Sequence, residues 1–332
     1  MLRPAVTPDG VAVSLLLTRE KKGNVTVVRG ESGAVGAAGG GSGVSGQHDA
    51  WLAERFQEQR GRLRAVAYRM LGSLEEADDA VQEAWVRCSA AGADDVLNLG
   101  GWLTTIVSRV CLNTLRARAA RPETLTGPRI PDPVLSPADG PTPEQEALLA
   151  DSVGLALLVV LDTLAPAERV AFVLHDVFDV PFGEIGAMLG RSDGATRQLA
   201  SRARRRVRAA GATEPDSAVA AQRAVVDAFF AAARAGDLTT LVGLLDPEVV
   251  LRTDGFIGGP AVLRGATTVA TAAVSGANPL AEFRPVLVNG AVGMLVTLKG
   301  RPAALMAFTI IKGRIAAVDG ITDPHRVRKL VG

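Results

Sequence analysis

Apolar residues recur at helical spacing along most of this chain and alternate at strand spacing only towards its end. From Trp51 onward, Phe56, Leu63, Val66 and Met70 fall 7, 3 and 4 residues apart, the spacing of one helix face. Gly72 ends that run. Ser73 and Glu76 in "SLEE" make a capping box that starts a second helix. Its apolar stripe is Ala77, Val81, Ala84, Trp85 and Cys88, with Asp78, Asp79, Gln82 and Glu83 on the other side. A third helix starts near Gly101 and runs to Arg121, apolar early and basic late.

Residues 122–143, "PETLTGPRIPDPVLSPADGPTP", hold seven prolines. Such a run cannot continue a helix and favours an extended, fairly stiff linker. Helical spacing returns at 144–164 and at 166–178, where Pro166 takes the first helical position. Two short helices follow, "FGEIGAMLG" and "SDGATRQLASRARRRVR", joined by a tight turn at Gly190–Arg191, with Ser192 placed to cap the second. The segment 211–218 lies in a second break. Beyond it, helices at about 219–236 and 237–245 precede the strand-like runs "VVLRT", "EFRPVLVN", "AVGMLVTL", "AALMAFTII" and "RIAAVDG". Residues 1–47 contain "GESGAVGAAGGGSGVSG", which buries too little apolar surface to order itself and reads as a disordered Gly/Ala-rich leader. No internal repeat of fixed period is present.

A length of 332 residues suits two or three compact domains. The net charge of +1 does not announce a nucleic-acid binder, so any basic surface has to be local. No apolar run reaches the roughly 18–20 residues needed to span a bilayer, and "VAVSLLL" (11–17) lacks the basic start and cleavage site of a signal peptide. A membrane location is not expected. Cys88 and Cys111 both sit in apolar helical patterns and read as buried thiols rather than a disulfide or metal site, in a reducing cytoplasm.

The local basic surface is in the paired helices. Thr196, Ala200, Ala203 and Val207 make a packing face at spacings of 4, 3 and 4. The opposite side shows Gln198, Ser201, Arg202 and Arg205, flanked by Arg197. That is the layout of a helix-turn-helix whose second helix enters a major groove. Arginine can bind guanine edges and glutamine adenine; Arg204, Arg206 and Arg208 fall to phosphates, which position without specifying. Taken alone, the segment is equally the solvated end of a surface helix pair. The acidic side of the second helix is likewise what any surface helix shows. On the third helix Trp102, Arg109, Arg116, Arg118 and Arg121 suit stacking on unpaired bases beside phosphates, yet Trp102 also shares the apolar-stripe spacing of Ile106, Val110 and Asn113.

The order of these weak signals carries more than each does alone. "SLEEADDAVQEAWVR", "GWLTTIVSRVCLNTLRARAARPE" and "LDTLAPAERVAFVLHDVFDVPFGEIGAMLGRSDGATRQLASRARRRV" resemble an extracytoplasmic-function (ECF) RNA polymerase sigma factor. The resemblance implies a multidomain chain with two all-α sigma domains, 48–121 and 144–210, the second a helix-turn-helix. It implies core RNA polymerase and promoter DNA as partners. Carried over by motif, Asp78, Asp79, Gln82 and Glu83 face core polymerase. Trp102, Arg109, Asn113 and Arg116 lie near the −10 strand. Arg197, Gln198, Ser201, Arg202 and Arg205 face the −35 duplex.

The tail, 219–332, resembles an α+β, cone-shaped SnoaL-like (NTF2-type) domain, as in the SigJ-type group, where it acts as a built-in regulator. The group's linker motif is matched by "GPRIPDPV" (127–134), with Arg129 where the group has Trp. Its glycine motif is partly matched by "TDGFIGGP" (253–260), and its terminal motif by "DPHRV" (323–327). The implied regulatory contacts are Arg129, Pro131, Asp132 and Pro133 of the linker with Asp254, Gly255, Asp323 and Pro324 of the tail. A contact between the C-terminal domain and the linker is therefore expected, and the cone leaves room for a small ligand. SnoaL-like folds also host enzymes, but Arg252, Asp254, Asp319 and His325 form no paired carboxylates or His–Asp couple in the sequence. No catalytic activity, cofactor or metal is expected. The alternative from another class is a ligand-sensing or enzymatic cone fused to a simple repressor, which would need no polymerase-facing patch.

Overall fold

The computed structural model describes residues 42–91, 96–120, 129–137, 154–209, 219–255 and 261–331, with side chains from Ala50 onward. Most of the expected leader, residues 138–153 and Phe256–Pro260 of the glycine motif lie outside the described residues.

Three helices open the fold: α1 (Ser42–Leu71), α2 (Leu74–Ala91) and α3 (Leu99–Ala120). The first extends into the segment read as leader, beginning at Ser42. Phe56, Leu63, Val66 and Met70 are all buried, as their spacing requires, and the Phe56 ring meets Trp85 at 5.0 Å. Gly72 closes α1 at φ +71°, a conformation that favours glycine. Only half of the expected capping box forms: the Glu76 N–H donates to Ser73 Oγ at 3.5 Å, while the Glu76 carboxylate pairs with Arg118 of α3. The third helix starts two residues earlier than its apolar pattern suggests because Asn98 caps it, its Oδ1 accepting from the Gly101 N–H at 3.0 Å.

The second helical unit comprises α4 (Leu155–Asp162), α5 (Pro166–Phe172) continued by a π turn (Val173–Val177), α6 (Phe182–Leu189) and α7 (Asp193–Ala209). Gly190 makes the α6–α7 turn at φ +65°. Gly186 lets the chain fold back, since a Cβ there would lie 2.7 Å from the Arg191 carbonyl oxygen. Thr196, Ala200, Ala203 and Val207 are buried along α7, the stripe read from spacing.

The C-terminal unit has α8 (Val219–Ala235) and α9 (Leu238–Leu244), then β2 (Leu245–Thr253), β3 (Ala261–Arg264), α10 (Ala266–Ser275), β4 (Ala281–Val288), β5 (Ala291–Leu298), β6 (Arg301–Ile311), β7 (Arg314–Ile321) and α11 (Pro324–Val331). With β1 (Leu135–Ser136) its sheet runs β1-β4-β5-β6-β7-β2-β3, antiparallel except for the β2–β7 pair. The outermost strand, β1, comes from the proline-rich segment and pairs with β4, Leu135 opposite Val288. One sheet face packs under α8, α9 and α10, where Phe229, Phe230, Phe283 and Phe308 form an aromatic cluster with centroids 4.6 to 5.8 Å apart. From the other face Val286, Val288, Leu295, Leu305 and Ile321 join the core of the helical units through Ile130 and Val134. The described residues from Gly46 onward thus pack as one compact unit.

Candidate nucleic-acid interface

On α7 the side chains of Arg197, Gln198, Ser201, Arg202 and Arg205 are exposed opposite the buried stripe. Arg197 is 3.5 Å from Asp193 and lies over the Phe182 ring at 5.7 Å. Arg204 and Arg206 differ from the expectation that they serve phosphates. Arg204 donates to Asp176 at 2.6 Å and Arg206 to Glu168 at 3.2 Å, because they flank the buried stripe and reach back to α5 and its π turn.

On α3, Trp102 is half-buried against the core, whereas Arg109, Asn113 and Arg116 are exposed. All four lie 3, 4 or 7 residues apart, on one side of the helix. The acidic side of α2 is divided. Asp78 is held by Arg64 in a fork, Nε to Oδ1 at 2.7 Å and Nη2 to Oδ2 at 3.0 Å. Asp79 and Gln82 are exposed, and Glu83 pairs with Arg87. Val86 stands on that same side and is 61% exposed; sequence reasoning passed over it, although an apolar residue three and four positions from Glu83 and Gln82 was a readable signal.

The motif residues of the linker and tail meet around one side chain that sequence reasoning missed. Arg326 on α11 donates Nε to Asp132 Oδ1 at 3.1 Å and Nη2 to the same oxygen at 2.8 Å, and its Nη2 also reaches the Ile130 carbonyl. Its Nη1 lies 3.5 Å from Asp254 Oδ2. The other Asp254 oxygen accepts from the Thr322 N–H and hydroxyl, both at 2.8 Å, while Gly255 turns the chain at φ +94°. Asp323 accepts from the His325 N–H at 2.8 Å and starts α11, with Pro324 its first residue. Pro131 packs at Gly72, Pro133 is buried, and Arg129 lies 3.7 Å from Glu76. Beside them, Asn289 accepts from the Val134 N–H at 2.8 Å, and the Tyr68 hydroxyl donates to the Asp132 carbonyl at 2.6 Å. Burial raises the Tyr68 phenol well above its ordinary value. Lys329 of α11 pairs with Glu75 of α2.

Asp254 and Asp319 are committed to structure. Asp319, 1% exposed, is paired with Arg252 at 2.6 Å. Both cysteines are free and buried, and desolvation pushes the Cys88 and Cys111 thiols up to about 11 and about 12. No group of residues that could hold a metal ion occurs among the described residues.

The sequence matches the family model for sigma-70 region 2 over residues 55–121 and that for sigma-70 region 4 over residues 154–207. It is 38% identical over 292 residues to the ECF RNA polymerase sigma factor SigJ of Mycobacterium tuberculosis, spanning 82% of this chain and 91% of that protein. The chain belongs to the ECF RNA polymerase sigma factors. A second relative, the probable ECF sigma factor SigI of the same organism, is 34% identical over 86% of this chain and 97% of its own length. The crystal structure of SigJ covers 82% of this chain and 97% of its own, with a TM-score of 0.65 and 36% identity. In this ECF sigma factor, α1–α3 are therefore region 2 and α4–α7 region 4, followed by an α+β domain. Sigma factors are promoter-recognition subunits of RNA polymerase, not enzymes. No helix among the described residues is long and apolar enough to cross a membrane.

Proposed function

We propose that this sigma factor carries its own regulator and that Arg326 is the clasp. Asp79, Gln82 and Glu83 of α2 contact core polymerase, with Asp78 held by Arg64 as the base of that patch. Trp102, Arg109, Asn113 and Arg116 meet the −10 strand, and the exposed side of α7 reads the −35 duplex. The C-terminal domain governs activity in the cytoplasm, where the polymerase works, by holding or releasing the segment between the two sigma regions. One observation carries this reading: Asp132 of that segment and Asp254 of the cone share the Arg326 guanidinium, while β1 extends the cone's sheet. A charge-assisted bond through arginine is directional and worth about 1.5–3 kcal/mol, enough to bias a docking equilibrium roughly 10- to 150-fold.

The test is transcription by core polymerase on fragmented genomic DNA, with transcript 5′ ends mapped for the full chain and for Arg326→Ala. The variant is expected to keep core binding and to change promoter output severalfold. Unchanged output at every mapped start would remove the regulatory role; absence of any sigma-dependent start with either form would remove the promoter-reading assignments.

A further inference from the structure

The six arginines between Arg197 and Arg208 look equivalent in sequence and are not equivalent in space. At about 100° per residue, Arg204 and Arg206 project on opposite flanks of the buried stripe Thr196–Ala200–Ala203–Val207, while Arg205 between them points away from it. Each flanking arginine meets a carboxylate from α5 or its π turn. Arg204 Nε donates to Asp176 Oδ1 at 2.6 Å and Arg206 Nη1 to Glu168 Oε2 at 3.2 Å. Glu168 is 5% exposed, and its other oxygen lies 3.8 Å from Arg202. Arg205 and Arg208 have no carboxylate partner among the described residues.

A carboxylate this buried is stable only while its counter-charge stays in place, since a buried charge left unpaired is strongly destabilising. Drawing Arg206 away to a DNA phosphate would strand Glu168. We infer that Glu168 and Asp176 are positioning residues that keep Arg206 and Arg204 as struts of the recognition helix, leaving Arg197, Arg202, Arg205 and Arg208 to meet DNA. The longer Glu168–Arg202 pair steers Arg202 without consuming it, so Glu168 also sets the angle at which that side chain enters the groove. This inference rests on the reading of α7 as the DNA-facing helix, and it assigns the electrostatic contacts within that face.

The experiment is the salt dependence of binding by the full-length chain to a fluorescein-labelled duplex of mixed sequence, about 30 base pairs long, between roughly 50 and 300 mM salt. Each phosphate neutralised adds about 0.9 to the steepness of log K against log salt. Arg204→Ala and Arg206→Ala, each checked for folding by a thermal melt, are expected to leave the slope at the wild-type value. Arg205→Ala and Arg208→Ala are each expected to flatten it by about 0.9. Glu168→Gln is expected to steepen it by up to about 0.9, and Glu168→Gln with Arg206→Ala to restore it. A purely structural role for Glu168 would not produce that restoration. Flattening by Arg206→Ala equal to that by Arg205→Ala overturns the inference, even if Glu168→Gln does not fold. Slopes unmoved by Arg205→Ala and Arg208→Ala, or no binding by any form, would instead defeat the DNA-facing reading of α7.

Discussion

Asn289→Gly isolates the bond that ties the inter-region segment to the cone. Asn289 and Gly290 form the β4–β5 turn with φ of +50° and +78°, so glycine at 289 keeps the backbone conformation without strain. What it removes is the side-chain oxygen that accepts from the Val134 N–H at 2.8 Å and the side-chain N–H₂ that donates to the Tyr68 hydroxyl at 3.1 Å. Val134 is 3% exposed, so its amide loses its partner where water cannot replace it. An unsatisfied buried donor costs about 1–3 kcal/mol, which is about 5- to 150-fold in a local opening equilibrium at 1.4 kcal/mol per decade. The Asn289 backbone N–H still donates to the Val134 carbonyl at 2.9 Å, so the segment loosens rather than leaves. Hydrogen–deuterium exchange with peptide resolution checks this. Protection in 130–136 is expected to fall by that factor while the buried stretches of α1 and α3 keep theirs. Unchanged exchange in 130–136, or an equal loss across the whole chain, would refute the reasoning that this bond holds the segment locally.

Other outcomes follow from the same geometry. Arg169 is 1% exposed, its charged form disfavoured chiefly by burial and supported by Asp162 at 2.8 Å, so Asp162→Ala should cost about 3 kcal/mol in chemical denaturation, the low end for breaking a buried pair. Replacing Arg169 and Asp162 together by apolar residues should cost less than Asp162→Ala alone. Cys88 and Cys111 keep their protons to about 11 and about 12 when folded, against an ordinary 9.0. The native state therefore binds more protons than the unfolded one above pH ~9, and stability should fall as pH rises through that range, less so in a Cys88→Ala, Cys111→Ala chain followed by thermal melts. Charge reversal of the exposed pair, Asp79→Lys with Glu83→Lys, should abolish co-elution with core polymerase while leaving the melting temperature within a few degrees. Retained co-elution would refute the assignment of the core-polymerase contact to Asp79 and Glu83.

Local order was written in the sequence wherever a short-range rule sufficed. The 3.6-residue spacing of Phe56, Leu63, Val66 and Met70, and of Thr196, Ala200, Ala203 and Val207, specified which faces are buried, because a helix has no other way to hide those side chains. Gly72 and Gly190 marked turns because only glycine adopts positive φ at little cost, and the order of acidic helix, tryptophan-led basic helix and helix-turn-helix was enough to suggest the family. Long-range pairing was not written there. The family resemblance put the linker beside the tail motif, but no local pattern marks Arg326 as the residue that meets Asp132, 194 positions away, and nothing near Arg206 points to Glu168. Six arginines in a row of twelve residues carry the same charge, and only the packing of α7 on α5 separates struts from contacts. The proline-rich segment read as a spacer because prolines forbid helix; that part of it becomes an edge strand depended on a sheet edge offered by β4, at Leu287 and Val288. Sequence periodicity determines which side of an element turns inward, whereas the partner it meets there is decided when distant elements share one core.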